Sequence, residues 1–123
     1  MRTSIEVAHL WFNEVWNQKN LDMIPELMSA DAQGHLEGGQ EIVGPDQFIE
    51  FQKSILGALP DIRIEILNSL SNDEYSCVMW KSSAKNDSIT FKGTTWFKVH
   101  DGKIVEGWDC WNHGALMTTL ASL

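Results

Sequence analysis

Asp109 lies between Trp108 and Trp111 in a run otherwise rich in strand-forming residues, Ile104-Val105-Glu106-Gly107-Trp108-Asp109-Cys110-Trp111. A carboxylate among aromatic side chains is costly to bury unless it is paired, hydrogen-bonded or held neutral. Burial raises a carboxyl pKa from about 3.9, and a group brought toward neutrality can both accept and donate a proton. Asp109 is therefore the first candidate for general acid/base chemistry. The alternative for it is a structural acid, satisfied by an indole N–H or backbone amides. His35 and Glu37 stand two apart, so a strand would put both on one face, where either could help Asp109 move or hold a proton. Their alternative is a solvated pair beside the Gly38-Gly39 breaker.

Other chemistries have less support. The four histidines show no H-x-x-x-H or H-x-H spacing, so no metal is expected. Glu37-Gly38-Gly39-Gln40 lacks the lysine of a phosphate-binding loop, and no cofactor is expected. Ser82 and Cys77 lack the context of an activated nucleophile. His9, His100 and His113 read as surface residues without a role.

The elements that must position these residues follow from periodicity and turn chemistry. Thr3 or Ser4 caps a first helix with Glu6 close behind, and Ile5, Ala8, Trp11, Phe12, Val15 and Trp16 form its apolar stripe. A short helix runs from about Leu21 to Met28, followed by a short strand or extended segment over Ala30 to Glu37. Pro45 opens a third helix that buries Phe48, Phe51, Gln52, Ile55 and Leu59. Four strands then follow, linked at Asn72-Asp73-Glu74, Lys85-Asn86-Asp87-Ser88 and Asp101-Gly102, the last a strong hairpin signal. His113 to Leu120 reads as a closing helix or an extended tail. Alternation puts Gly107, Asp109 and Trp111 on one face with Thr95, Phe97 and Val99, and puts Trp96 and Trp108 on the other.

With 123 residues, 43% of them hydrophobic, the chain suits a single domain, 1–123, with a real core. Six tryptophans supply large aromatic walls for a cavity or an interface. A net charge of −8 without a basic cluster argues against nucleic acid and anionic membranes as partners. No run is long enough to span a bilayer, none resembles a signal peptide, and Cys77 and Cys110 read as reduced thiols, so a cytoplasmic location is expected.

Three segments carry a resemblance to a known superfamily: Phe12-Asn13-Glu14-Val15-Trp16-Asn17-Gln18-Lys19-Asn20-Leu21-Asp22, Leu59-Pro60-Asp61-Ile62-Arg63-Ile64 and Asp101-Gly102-Lys103-Ile104-Val105-Glu106-Gly107-Trp108-Asp109. The chain resembles the nuclear transport factor two-like proteins and, more narrowly, the SnoaL-like polyketide cyclases. The resemblance implies an α+β cone, a curved antiparallel sheet packed against three N-terminal helices around a cavity. Set against the related ketosteroid isomerases, the oxyanion-hole positions fall at Phe12 and Thr95 and the base near Leu36 or Glu37. Phe12 has no hydroxyl and Thr95 no acidic proton, which speaks against steroid isomerisation. Set against limonene epoxide hydrolases, the last-strand aspartate falls at Asp109, while their arginine-x-aspartate has no counterpart in Trp80-Lys81-Ser82-Ser83. SnoaL-like cyclases place an aspartate near this strand as the general acid/base of an aldol-type ring closure.

Two functions are in competition. One is a cofactor-independent acid/base enzyme acting on a small apolar, carbonyl-bearing molecule, with Asp109 central and His35 or Glu37 as helper. The other is a non-catalytic module that binds a small apolar ligand or only dimerises. The expected cavity walls are Phe12, Trp16, Trp80, Thr95, Phe97, Trp111 and Asn112. The face bearing Trp96 and Trp108 is expected to join two copies as a homodimer, because large aromatic faces are rarely left in water.

Overall fold

The computed structural model describes residues 1–111. Helix α1 (Ser4–Leu10) begins at a capping box in which Thr3 accepts from the Glu6 amide and Glu6 accepts from the Thr3 amide. It continues directly into a π-helical segment, Trp11–Asn17, with bonds such as Gln18 N–H to Asn13 O at 3.0 Å. The wider turn keeps Trp11, Phe12, Val15 and Trp16 all buried. The amide of Gln52, itself fully buried, donates to the Val15 carbonyl within this segment. A 3-10 turn (Leu21–Met23) leads into the short α2 (Ile24–Leu27), and α3 (Gly44–Ala58) packs across the strand Met28–His35. Gly44 starts α3 at φ +81°, where a Cβ would meet the Ala30 carbonyl oxygen at 2.6 Å.

The strands are β1 (Met28–His35), β2 (Glu41–Val43), β3 (Arg63–Ser71), β4 (Tyr75–Ala84), β5 (Ile89–His100) and β6 (Lys103–Trp111). They form one curved, unclosed sheet in the order β2-β1-β6-β5-β4-β3. The architecture is the α+β arrangement expected. Its sheet is mixed, because β1 and β6 pair in parallel while the other neighbours are antiparallel. The three-residue β2 was not foreseen.

Asp101 and Gly102 join β5 to β6 with φ of 52° and 75°, the conformation of a type I′ hairpin. Lys85, Asn86 and Asp87 are all left-handed in the β4–β5 turn. That turn is held by Asp61, whose carboxylate accepts from the Lys85 and Asn86 amides at 2.8 and 3.1 Å, and by an ion pair between Arg63 and Asp87. A bulge shifts the β5–β6 register between Lys98 and Val99, so Val105 is left over. It lets Ile104 and Asp109, an odd number of positions apart, face the same side. On the helix side of the sheet, Val78, Trp80, Ile89, Phe97, Val99 and Ile104 join the helices in the core.

Candidate active site

The register places Thr95 opposite Asp109, and Val78 opposite Thr95. The Trp80 indole N–H donates to Thr95 Oγ1 at 2.9 Å, and the Thr95 hydroxyl donates to Asp109 Oδ1 at 2.8 Å. An indole only donates, so the Thr95 oxygen already receives one proton and its own turns to Asp109. Among the described residues, Asp109 Oδ2 makes no hydrogen bond. A proton carried by Asp109 therefore belongs on Oδ2.

Asp109 is half-buried in the wall of the site, and desolvation of its carboxyl group pushes the pKa up from 3.8 to about 6. The Thr95 hydrogen bond pulls the other way, and the negative charge of Glu37 adds to the rise. Burial and a like charge both disfavour the ionised form, whereas a donated hydrogen bond favours it.

Asp109 lies where two compartments meet. The first, about 60 Å³, is a slot between the helices and β3–β6; among the described residues, its only lining side chains that are neither aliphatic nor aromatic are Ser82, Thr95 and Asp109. Phe12, Trp16, Trp80 and Trp111 are among its walls. The second, about 40 Å³, reaches toward β1 and includes Phe97 in its lining. Both are small beside the roughly 300–1,000 Å³ of an ordinary ligand pocket, so a ligand of that size requires wall side chains to move. A wider groove of about 630 Å³ lies outside the slot and shares Phe51, Ile55 and Trp111 with it.

Gly93 belongs to the site too: a Cβ there would meet the Trp80 ring at 2.5 Å and Trp111 Cβ at 2.7 Å. Glycine keeps the room that the indole needs to reach Thr95. A glycine interrupting a strand pattern is the sequence signal that could have found it.

The structure separates the two proposed helpers of Asp109. Glu37 lies just past β1, lines the outer groove, and accepts from the Trp111 amide through Oε2 at 3.3 Å. The His35 ring turns to other partners, although the residue shares the lining of the second compartment with Asp109. It pairs in register with Trp108, stacks on that ring with centroids 5.6 Å apart, and thus sits on the face opposite Asp109. Its ring contacts Glu41 on one side and Glu106 at 2.7 Å on the other. The Glu106 hydrogen bond, then Glu41, hold the imidazole pKa above its ordinary value against the cost of burial. The parallel β1–β6 pairing makes this placement, and no local pattern announces it. Asn112 lies outside the described residues, as does the segment from His113 to Leu120. Among the described residues no three His, Cys, Asp or Glu side chains converge as metal ligands, and no helix is long and apolar enough to cross a membrane.

The chain belongs to the SnoaL-like domain family, whose profile matches residues 9–107. A protein from Jannaschia sp. CCS1, assigned as a SnoaL-like polyketide cyclase, superposes with a TM-score of 0.87 at 18% identity, covering 98% of this chain and 92% of its own. AclR from Streptomyces galilaeus, assigned as a hydroxylase, gives 0.78 at 20% identity, covering 98% and 99%. Wild-type IdmH from Streptomyces antibioticus, assigned as a polyketide cyclase, gives 0.80 at 15% identity, covering 99% and 100%. No curated protein sequence matches. Likenesses at such identities establish the fold, and one fold hosts many reactions.

Proposed function

We propose that this protein is a cofactor-independent acid/base enzyme of the cyclase type, acting on a small apolar molecule that carries a carbonyl group. The observation that carries this reading is the Asp109 carboxyl: half-buried where two largely apolar compartments meet, tied through Oδ1 to Thr95 and Trp80, and raised to about 6. Ionised, Asp109 takes a proton from the carbon next to the carbonyl. The C–H electron pair becomes the enolate double bond, with the charge on oxygen. The enolate carbon attacks a second carbonyl, and the resulting alkoxide recovers the proton from Asp109. No electrons are gained or lost, and the proton returns to product. Desolvation first, and the charge of Glu37 after it, keep Asp109 basic enough to accept the proton.

The first half of this sequence can be tested without the natural substrate. In D2O the protein is expected to catalyse deuterium incorporation beside the carbonyl of 4-phenyl-2-butanone, followed by NMR. Asp109→Asn should reduce that rate at least about a hundredfold, the lower end of what a positioned base contributes. Exchange unchanged by the substitution rejects the acid/base reading in favour of a binding module.

We further propose a homodimer through the outer sheet face. Leu70, Met79 and Trp96 are 78%, 49% and 49% exposed there. Trp96 stands in register between Cys77 and Trp108, so the aromatic row crosses several strands. The acidic surface argues against nucleic acid as a partner, and the free thiols Cys77 and Cys110 suit a cytoplasmic location.

A further inference from the structure

The slot contains a polar group that the proton chemistry does not use. Ser82 is fully buried on the helix side of β4, lines the slot, and its hydroxyl has no partner among the described residues. A buried hydroxyl left unpaired costs stability, so its presence in an otherwise apolar wall calls for a reason. Around it are Ile64 and Phe91, its register neighbours on β3 and β5, neither of which can satisfy it through a side chain.

Ser82 and Asp109 both line the slot and stand well apart along the sheet. Ser82 lies four positions along β4 from Val78, and Val78 shares a row with Thr95 and Asp109. At about 3.3 Å per residue that is roughly 13 Å along the sheet. The slot's walls include the aromatic Trp80, Phe91 and Trp111. A ligand that meets both residues is elongated, unsaturated or aromatic in its middle, and oxygenated at each end.

We propose that Ser82 is a substrate-positioning residue that hydrogen-bonds a second oxygen, a hydroxyl or carbonyl, at the end of the substrate remote from the carbonyl at Asp109. The inference rests on the acid/base reading for what happens at the Asp109 end, and on the unpaired hydroxyl alone for its own end. It narrows the substrate class from apolar ketones to elongated molecules with two oxygen functions.

A matched pair of probes tests it. Binding of 4-phenyl-2-butanone and of 4-(4-hydroxyphenyl)-2-butanone is followed by quenching of tryptophan fluorescence in the wild-type protein, Ser82→Ala and Asp109→Asn. The pair differ only in the remote oxygen. One neutral hydrogen bond predicts about five- to tenfold tighter binding of the hydroxylated ketone by the wild type. Ser82→Ala is expected to collapse that difference while its melting temperature stays level or rises, because an unpaired buried hydroxyl has been removed. Equal affinities in the wild type, a difference that survives in Ser82→Ala, or no binding of either ketone overturns the proposal. So does a Ser82→Ala protein that weakens both ketones equally, which marks a packing role. The Asp109→Asn arm separates the two ideas. If it keeps the affinity difference and loses deuterium exchange, both stand. If it keeps both, Ser82 retains its role and the acid/base reading fails.

Discussion

At the scale of single residues, Asp109 is governed by opposed influences: desolvation and Glu37 raise its pKa, while Thr95 lowers it. A folded-state pKa near 6 against 3.8 means that stability falls as pH climbs between these values, because ionisation is harder in the folded chain. Asp109→Asn, which keeps an oxygen for Thr95 to donate to, should therefore be stabilising at pH 8 by on the order of 2 kcal/mol and nearly neutral at pH 3.5. Thermal melts at the two pH values check this, and equal effects at both would contradict it. Thr95→Val removes the one contribution that favours the carboxylate. It should move the acid limb of the pH–rate profile for ketone exchange upward, whereas an Asp109 that does not titrate in turnover would leave the limb in place. Strand alternation made the inward orientation of Asp109 legible, together with its row partner Thr95. The Trp80 connection was not, because it depends on register across β4 and β5 and on the missing side chain of Gly93. The partners of the His35 ring were hidden for a related reason: its face is decided by a partner strand about 70 residues away in sequence.

At the scale of elements, the helices and the four long strands could be read from period and turns, since each buries one face and ends at a recognisable breaker. The widened helix after Leu10 could not. An apolar stripe at Trp11, Phe12, Val15 and Trp16 fits an ordinary α-helix equally well, and what favours the wider form comes from outside it. The Asn17 side chain pairs with the β3 backbone at Ile64, accepting from its amide at 2.7 Å and donating to its carbonyl at 2.8 Å. Lys19 reaches the Ile62 carbonyl at 3.3 Å. Together they fasten the end of the helix to the edge strand next to the slot. Asn17→Ala strips both backbone groups of a partner and should cost about 1–3 kcal/mol in urea denaturation. A change below about 0.5 kcal/mol would mean that water replaces the side chain there without loss.

At the scale of the whole molecule, the sheet has two unlike faces. One closes over the slot with the helices, and the other carries Leu70, Met79 and Trp96 outward. If two copies meet on that second face, Trp96→Lys should give a monomer by light scattering at micromolar concentration, with the fold retained by circular dichroism. A wild-type protein that is already monomeric would exclude the dimer. The aromatic surplus and the alternation made this face readable from sequence. The mixed sheet was hidden, because adjacency of β1 to β6 is a property of the closed chain and of no single segment.

That adjacency also bears on how the protein comes into being. The strand that carries Asp109 is the last of the described strands to be synthesised, yet it occupies the middle of the sheet between β1 and β5. Met28 waits for Ile104 before its strand is paired on that side. Until then the nascent chain holds two open hydrogen-bonding edges and an uncovered aromatic interior, a state prone to self-association. Closure over so long a loop is slow compared with hairpin formation. A chain that stops before β6 would therefore lack Asp109 and be prone to self-association in the same event, and the cavity can exist only in a molecule whose synthesis has passed Trp111.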